Sequence, residues 1–541
     1  MYIIITNRAR SEQRTESGLV TVATNSALLQ FDESSQTFHT AISFPPHHIV
    51  YKIVRDPGIG KLLLGTYGNG LLYADFENST VKPVPTPPVE DVDITSVKAY
   101  ACMKDRNGNY WLGCYQKGVV AFSVREDSFR FMPLDHMQAN NGNVLRTIFA
   151  DREGKIYICQ EKGGITQIDS SGASLKHWMG NYTVNTMFQD RDGGFWAGTY
   201  SDGLFRLDLA SGREKWVPFT GRERISSLAQ DSEGNLYVAV FGDGLRSLTP
   251  DGSAERPLAG GSLGLINPYL NVLFTDKENH IWIGHYYGID VYDPASDSLL
   301  GIPVPEALRP AIVYQIEQSP KDGSVWVGSN KGFFQYQTQG TEKGRWKRYT
   351  TNEGLPNNII CGFAMMDDGT IWAGTYRGLA KIQADGSIAR YYRGDGLQDW
   401  SYLRRVSAVT SGGMVILGNQ EGFTYFTPTT VKKAEFNEGI TLTAIRLGEK
   451  SVNTASLSGD RTIITEPAET AKEITVSYAD NTFSLRFSPM DFRDPKNVHY
   501  EFRFTDATDN KWHLTESGRS EIFFSLPSVG RPTLVVRAYD H

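Results

Sequence analysis

A short motif recurs along the chain from its beginning to about residue 428. Its clearest copies end in Trp, any residue and Gly, and they occupy Gly108–Gly113, Gly193–Gly198, His280–Gly284, Gly323–Gly328 and Gly369–Gly374. The final position of the motif, used as a marker, falls at Ala23, Gly65, Gly113, Cys159, Gly198, Ala239, Gly284, Gly328, Gly374 and Gly418. The markers are separated by about 39 to 48 residues, and each interval holds four short apolar segments. This period is typical of β-propeller blades.

One unit illustrates the expected strand order. Apolar segments that predict strands are separated by polar, Gly-containing turns, which suit hairpins because Gly adopts positive φ readily. The predicted first, second, third and outer strands of this unit are Asn185–Asp190, Phe195–Thr199, Leu204–Asp208 and Lys215–Pro218. The Trp supplies a large apolar surface between blades, and the Gly allows neighbouring sheets to approach closely.

The polar turns also resemble calcium-binding loops in part. Asp190–Gly193 and Asp105–Gly108 have the first residues of such a loop but lack its closing Glu, so hairpin turns are favoured. His47, His48, His280 and His285 are not at metal-binding spacing. We therefore predict no metal site and no cofactor.

Composition narrows the functional classes. The net charge of −7 over 541 residues gives no basic surface for nucleic acid, so no nucleic-acid contact is expected. No apolar run approaches the ~18 residues of a membrane span, and the first residues lack the features of a signal peptide. The four cysteines have no metal-like spacing and are expected to be buried thiols; a disulfide between two of them is the alternative. They are Cys102, Cys114, Cys159 and Cys361.

The repeat ends at Gly422–Pro428, and a polar linker, Lys432–Gly439, follows. Beyond it, short alternating strands without the blade period predict a β-sandwich of immunoglobulin type. These strands are Ile440–Ile445, Glu473–Tyr478, Thr482–Phe487, Tyr500–Phe504, Glu521–Leu526 and Thr533–Ala538. No helix of any length is predicted.

The repeats resemble the regulator-propeller repeats of hybrid two-component sensors, through Asp-x-x-Gly, Trp-x-Gly-Thr and Gly-Leu in successive positions. The tail resembles the triple-tyrosine domain of the same sensors, through Phe483–Phe487, Asp491–Pro495, Tyr500–Phe504 and Trp512. The resemblance covers nearly the whole chain. It implies a periplasmic sensor region, built from two seven-bladed propellers and the sandwich, which signals to a histidine kinase through a membrane helix.

Counting seven markers back from Gly418 reaches Cys159. We therefore expect an all-β chain with three parts: about three blades of a first, incomplete propeller over 1–138, a seven-bladed β-propeller over 139–430 and an immunoglobulin-like β-sandwich over 431–541. Three blades cannot close a ring, and the family continues beyond the sandwich, so the chain is interpreted as part of a longer sensor. Membrane contact would come only through that missing downstream helix, and two copies could pair through the sandwich.

The turn after Trp-x-Gly carries an aromatic residue in several units, and all these turns should lie on one face of the propeller. Aromatic rings beside arginines suit stacking on sugars and pairing with acidic groups. The alternative is that the rings only stabilise their turns. The candidate ligand-binding residues are Tyr200, Phe241, Tyr286, Tyr376, Arg377, Trp400, Tyr402, Arg404 and Arg405.

Three functions are open at this stage. The first is an extracytoplasmic sensor that binds a glycan-derived oligosaccharide and signals to a kinase absent from this chain. The second is a polysaccharide lyase or glycosidase, although no catalytic residue and no distinguishable pair of carboxylates can be named. The third is a protein-interaction scaffold.

Overall fold

The computed structural model describes residues 11–14, 20–46, 48–56, 61–84, 93–105, 109–123, 128–134, 144–169, 172–256, 258, 264–392, 395–397, 401–431, 439–480, 482–490, 498–505, 511–515, 519–525, 531 and 533–539. The chain divides into two compact units. One comprises Met1–Glu126 together with Glu435–His541, and the other comprises Asp127–Ala434. The all-β prediction is confirmed: regular structure in the described residues consists of strands and three single 3-10 turns, Pro218–Thr220, Pro428–Thr430 and Tyr478–Asp480.

Within the unit Asp127–Ala434, the described residues form seven four-stranded antiparallel sheets, here blades 1 to 7. From inner to outer strand, blade 1 is Leu145–Ala150, Ile156–Gln160, Gly164–Ile168 and Ser174–Trp178; blade 2 is Val184–Gln189, Phe195–Thr199, Leu204–Asp208 and Arg213–Val217; blade 3 is Ile225–Gln230, Leu236–Val240, Gly244–Leu248 and Glu255–Arg256; blade 4 is Leu270–Thr275, Ile281–His285, Gly288–Asp293 and Ser298–Leu299. Blade 5 is Val313–Gln318, Val325–Ser329, Gly332–Tyr336 and Trp346–Tyr349; blade 6 is Ile360–Met365, Ile371–Thr375, Leu379–Ile382 and Ile388–Tyr391; blade 7 is Tyr402–Val409, Val415–Asn419, Gly422–Phe426 and Arg130–Pro133.

Blade 7 closes the ring. Its outer strand, Arg130–Pro133, comes from the beginning of the unit and pairs with Gly422–Phe426 near the end, with Arg130 opposite Tyr425. The inner strands of consecutive blades contact one another, and the inner strand of blade 7 contacts that of blade 1. The expected boundary after residue 138 is therefore wrong, because Arg130–Pro133 belongs to the ring and the unit extends over Asp127–Ala434.

A buried aspartate fixes the first hairpin of most blades. In blade 2 the Asp190 carboxylate accepts hydrogen bonds from the Gly194 amide (2.6 Å) and from the Trp196 ring nitrogen (2.8 Å). In blade 4 the Asp276 carboxylate accepts hydrogen bonds from the His280 amide and from the Trp282 ring nitrogen, both at 2.8 Å. Where Tyr replaces Trp, its hydroxyl donates to the equivalent carboxylate, as in the pairs Asp151–Tyr157 (3.0 Å) and Asp231–Tyr237 (3.1 Å). These aspartates therefore serve hairpin turns, and the described residues contain no cluster of three or more acidic, His or Cys side chains suited to a metal.

The marker glycines lie where adjacent blades are closest. A Cβ atom on Gly198 would lie 2.6 Å from Cγ2 of Ile225, in the inner strand of the next blade. The same atom on Gly284 would lie 2.6 Å from Cγ1 of Val313. Any larger side chain at these positions would push neighbouring blades apart, which explains the small residue at the end of the repeated motif.

The other unit contains sheets built on the same pattern. Three of them come from Met1–Glu126 and pair in chain order: Ser11–Arg14, Val20–Ala23, Ala27–Asp32 and Thr37–Ser43; Val50–Arg55, Leu62–Thr66, Leu71–Asp75 and Thr80–Pro83; and, as a three-stranded sheet in its described residues, Ala99–Lys104, Asn109–Cys114 and Gly118–Ser123. The first strands of successive sheets contact one another, as inner strands of propeller blades do.

The tail forms two facing sheets around one apolar core. One sheet has the order Lys450–Ser451, Thr441–Leu447, Thr482–Ser488 and Glu521–Ser525; the other has the order His513–Leu514, His499–Phe504 and Leu534–Tyr539; and a small pair joins Leu457–Ser458 to Arg461–Thr462. Ile445, Leu485, Tyr500 and Phe524 are buried between the two sheets. The predicted strand Glu473–Tyr478 does not form. Ile474 and Val476 nevertheless pack against the core.

All four cysteines are buried free thiols. Burial raises the pKa of Cys102 and of Cys361 to about 12, because the surrounding apolar groups solvate a thiolate poorly. The thiols therefore act as small apolar side chains of the blades.

Replacing Asp190 with Asn should destabilise the propeller by about 1–3 kcal/mol. The amide keeps one acceptor but turns an NH2 group toward a second donor, so one buried N–H of Gly194 or Trp196 loses its partner. Urea unfolding followed by tryptophan fluorescence measures the effect. The exposed Asp192→Asn is the matched control and should leave the midpoint unchanged. Equal midpoints for the two variants would contradict the role of the buried carboxylate.

Candidate ligand-binding face

One face of the ring is organised by a recurring backbone hydrogen bond. The amide of the first residue after the second strand donates to the carbonyl of the residue that precedes the inner strand. Tyr200 donates to Thr183 at 2.9 Å, Phe241 to Arg224 at 2.9 Å, and Tyr286 to Tyr269 at 3.2 Å. Two positions in each blade are thereby held together at the same end of the blade, around the centre of the ring.

The side chains at these positions in blades 2 to 4, with Tyr314 of blade 5 and two arginines of blade 7, form a cluster that we name the mouth. Its members are Tyr200, Arg224, Phe241, Tyr269, Tyr286, Tyr314, Arg404 and Arg405.

The aromatic part of the mouth runs across blades 3 and 4. The Phe241 ring centroid lies 5.2 Å from that of Tyr269 and 5.5 Å from that of Tyr286, the latter in an edge-to-face arrangement. Tyr269 and Tyr286 are 6.3 Å apart. These two tyrosines keep 48% and 40% of their surface exposed, and Tyr200 keeps 45%. Rings that contact one another and are nevertheless open to solvent present ready-made stacking surfaces.

Arg224 connects this aromatic group to blade 2. The carbon at the centre of its guanidinium lies 5.1 Å from the Tyr200 ring centroid and 4.3 Å from that of Phe241, which is cation–π geometry on both sides. Its Nε is buried and has no hydrogen-bond partner among the described residues. On the far side of Tyr200, Arg146 also stacks on this ring at 5.5 Å and pairs with Glu161 at 2.5 Å.

Arg405 reaches across the centre of the ring. It sits in the inner strand of blade 7, where the pairing with the second strand shifts register, and its φ of 65° lies in the left-handed region. Its guanidinium donates to the carbonyl oxygen of Ser226 in the inner strand of blade 3. Blades 3 and 7 are not neighbours, so the side chain bridges the ring. A left-handed non-glycine residue costs about 1 kcal/mol or more, and such strain is concentrated at functional sites.

The Arg405 side chain is poorly solvated. Burial, and then the nearby positive charge of Arg224, lower the pKa of Arg405 to about 10, while Tyr286 acts in the opposite direction. Its neighbour Arg404 is exposed and stacks over Tyr314 at 5.2 Å. The mouth therefore combines open aromatic rings with concentrated positive charge.

Farther along the inner strand of blade 5, polar side chains join three blades. Gln315 donates to the Phe363 carbonyl (2.8 Å) and accepts from the Phe363 amide (2.9 Å) and from Ser407 Oγ (2.9 Å). The Gln315 amide also donates to the Glu317 carboxyl group. Burial raises the pKa of Glu317 to about 7, and this hydrogen bond opposes the shift only in part.

The structure brings together five of the nine residues predicted from sequence: Tyr200, Phe241, Tyr286, Arg404 and Arg405. Tyr376, 54% exposed, and Arg377 occupy the equivalent turn of blade 6, where the Tyr376 amide donates to the Ile359 carbonyl at 3.0 Å. Trp400 lies outside the described residues. The prediction for Tyr402 is wrong, because its ring is only 3% exposed and packs directly against Gly374. Tyr402 is a core residue between blades 6 and 7.

Sequence reasoning missed Arg224, Tyr269 and Tyr314. Arg224 and Tyr269 immediately precede inner strands, and Tyr314 is the second residue of one. Arg224 and Tyr269 hold the same position in their blades relative to the Trp-x-Gly marker. Aligning the units on the residue before the inner strand, in addition to the turn after the second strand, would have revealed Arg224 and Tyr269, whereas Tyr314 lies within its strand.

Comparison with known proteins agrees with this architecture. Residues 179–201 match the family described as Two component regulator propeller. The extracellular domain of the hybrid two component system BT3049 from B. thetaiotaomicron has a similar structure, with a TM-score of 0.75 at 18% identity over 99% of this chain and 71% of that one. The equivalent domain of BT4673 from the same organism matches 99% of this chain and 74% of that one at 17% identity, with a TM-score of 0.48.

Histidine kinase P4 of Formosa agariphila is 21% identical to this chain over 290 residues, which is 52% of this chain and 20% of the kinase. The chain thus matches about a fifth of the length of this curated relative. The predicted resemblance to two-component sensors is confirmed by these findings. No helix in the described part of the chain is long and apolar enough to cross a membrane.

The raised pKa of Glu317 predicts a specific pH dependence. The carboxyl group titrates near 7 when folded and near its ordinary 4.5 when unfolded, so between these values the folded state binds the proton more tightly. The free energy of unfolding should therefore fall as pH rises from 5 to 8. Glu317→Gln should remove this component and be more stable than wild type at pH 8 by about 1–3 kcal/mol.

Urea unfolding at pH 5, 6, 7 and 8 measures the difference in the free energy of unfolding between wild type and variant. Groups that titrate in both proteins contribute equally and cancel in this difference. The exposed Glu306→Gln is the matched control, and its difference from wild type should not vary over this range. A constant difference between Glu317→Gln and wild type from pH 5 to 8 would contradict the buried, protonated carboxyl.

Proposed function

We propose that this chain is the extracytoplasmic ligand-sensing region of a two-component sensor, that it works in the periplasm, and that it binds a glycan-derived oligosaccharide at the mouth. Binding there would be relayed through the sandwich to a histidine kinase that lies outside these residues. No catalytic step is assigned to the chain itself.

The observation that carries the proposal is the mouth. The Arg224 guanidinium lies between the rings of Tyr200 and Phe241 on one face of the ring, and the open rings of Tyr269 and Tyr286 pack against Phe241. Pyranose rings have apolar C–H faces that stack on aromatic surfaces, and their hydroxyl groups accept hydrogen bonds from arginine. A preformed surface also limits the conformational entropy lost on binding.

The regulator-propeller match and the fold shared with the extracellular domain of a hybrid two component system support the sensor class. The similarity to a histidine kinase over about a fifth of its length supports a parent protein with a kinase module. Pairing of two copies through the sandwich belongs to the same proposal, and Leu514 and Phe523, on different sheets, are exposed apolar side chains there.

A glycosidase or lyase is less well supported. Glycosidases place two carboxylates roughly 5 to 10 Å apart on either side of the scissile bond. The mouth, in its described residues, brings arginines together instead, and the buried aspartates of the blades are occupied by hairpin amides and ring donors. A protein-interaction scaffold would also use aromatic rings and arginines, so the binding of oligosaccharides, rather than the composition of the mouth, distinguishes it from a sensor.

A screen of purified oligosaccharides by thermal shift and titration calorimetry tests the proposal. A ligand of the folded chain should raise its melting temperature by mass action. Tyr286→Ala should weaken binding about tenfold, because one stacking surface is lost. The 73% exposed Tyr478→Ala, on the sandwich, is the matched control and should bind like wild type. The proposal fails if no oligosaccharide class shifts the melting temperature, or if the two variants weaken binding equally.

A further inference from the structure

The arginines of the mouth lack an acidic partner within the described chain. None of the ion pairs formed among the described residues includes Arg224, Arg404 or Arg405. The nearby carboxylates of Glu161 and Asp243 are already paired, with Arg146 at 2.5 Å and with Arg246 at 2.6 Å. The positive charge of the mouth is thus not neutralised by these side chains.

Holding two guanidinium groups close together in a partly dehydrated place is unfavourable unless an anion joins them. Arg224 is held between two rings, with its Nε buried and without a partner among the described residues. Arg405 satisfies one N–H on a neutral carbonyl, that of Ser226, two residues from Arg224. Both groups therefore have unused capacity for an acceptor stronger than a carbonyl.

We propose that the mouth recognises a saccharide bearing a carboxylate or sulfate group, and that this group is held between Arg224 and Arg405. The inference rests on the proposed function and names the chemical class of its ligand. The sugar ring stacks on the tyrosines, and its anionic group replaces the Ser226 carbonyl as the acceptor for Arg405. A charge-assisted bond is stronger than the neutral one that it replaces, so the exchange favours the bound state.

Arginine suits this role better than lysine. Its planar group donates two parallel N–H bonds to a carboxylate or sulfate while its face remains stacked on an aromatic ring, as Arg224 is on Phe241. The left-handed backbone of Arg405 directs its side chain across the ring toward Ser226 and Arg224, which gives the strained conformation a role in binding.

Titration calorimetry on the full chain provides the test. The probes are hexasaccharides of one length that are neutral, uronic or sulfated, with sodium sulfate as the free anion. We expect an acidic hexasaccharide to bind at least tenfold more tightly than the neutral one, with an affinity that falls as salt rises from 50 to about 300 mM. The uronic and sulfated probes identify which anionic group is preferred.

Two variants separate recognition from structure. Arg405→Gly keeps the left-handed backbone, which Gly adopts without strain, and Arg224→Gln keeps part of the stem between the rings. Each should lower the affinity for the acidic probe at least tenfold and reduce its salt dependence, while the affinity for the neutral probe falls by a smaller factor, so that the preference for the acidic probe is lost. The exposed Arg222→Gln carries the same change in net charge and should leave all affinities unchanged.

If neutral and acidic hexasaccharides bind equally well and Arg405→Gly changes neither affinity, the proposed recognition of an anionic group is overturned. The proposed sensor function would still stand. Sodium sulfate binding as tightly as the saccharides would overturn it as well, since a simple anion would then be the ligand. Binding of no saccharide at all would overturn both proposals.

Discussion

A buried carboxylate shared between a turn amide and an aromatic ring donor is the interaction on which the rest of this fold depends. Asp190 shows it most simply, with Gly194 on one oxygen and Trp196 on the other. The bond fixes the angle between the first two strands and at the same time positions the large ring that packs toward the next blade. Because the second strand is fixed, the turn after it emerges at a constant place on the opposite end of the blade. Those turns supply Tyr200, Phe241 and Tyr286 to the mouth.

The repeated unit could be read from sequence because its determinants are local. Trp-x-Gly, the preceding Asp and the hairpin turns all lie within about 15 residues, and they predicted strands, turns and the position of the small residue between blades. The ring boundary could not be read in this way. Arg130–Pro133 pairs with Gly422–Phe426, and nothing in either segment identifies a partner so distant along the chain.

The candidate site was predicted in part for the same reason. Tyr200, Phe241 and Tyr286 belong to a local turn pattern and were found. Tyr402 follows a loop with a similar aromatic composition, but its ring fills the space beside Gly374, which only the packing of blade 6 against blade 7 reveals. Arg405 was predicted because it follows the aromatic loop at Trp400 and Tyr402. In the structure, the Arg405 side chain reaches from blade 7 to Ser226 of blade 3. This reach depends on the closure of the ring and on the left-handed backbone of Arg405, and neither feature has a sequence signature here.

These features fit together as a rigid recognition surface with one adjustable element. Blades 1 to 4 are fixed by buried carboxylates, and close contacts at the marker glycines hold neighbouring blades together. The arginine that crosses the ring is held by a single carbonyl acceptor. A ligand that offers Arg405 a better acceptor would break its hydrogen bond to Ser226 and so remove a contact between blades 7 and 3. Free and bound states would then differ in this contact, and signalling requires such a difference.

Ligand binding is assigned to the face formed by the turns after the second strands. Hydrogen–deuterium exchange of the full chain, with and without an oligosaccharide that binds it, tests this most directly. Slower amide exchange is expected in the turns at Tyr200, Phe241 and Tyr286, with no change in the hairpins at Asp190 and Asp276 on the opposite face. Protection confined to those hairpins or to the sandwich would contradict it.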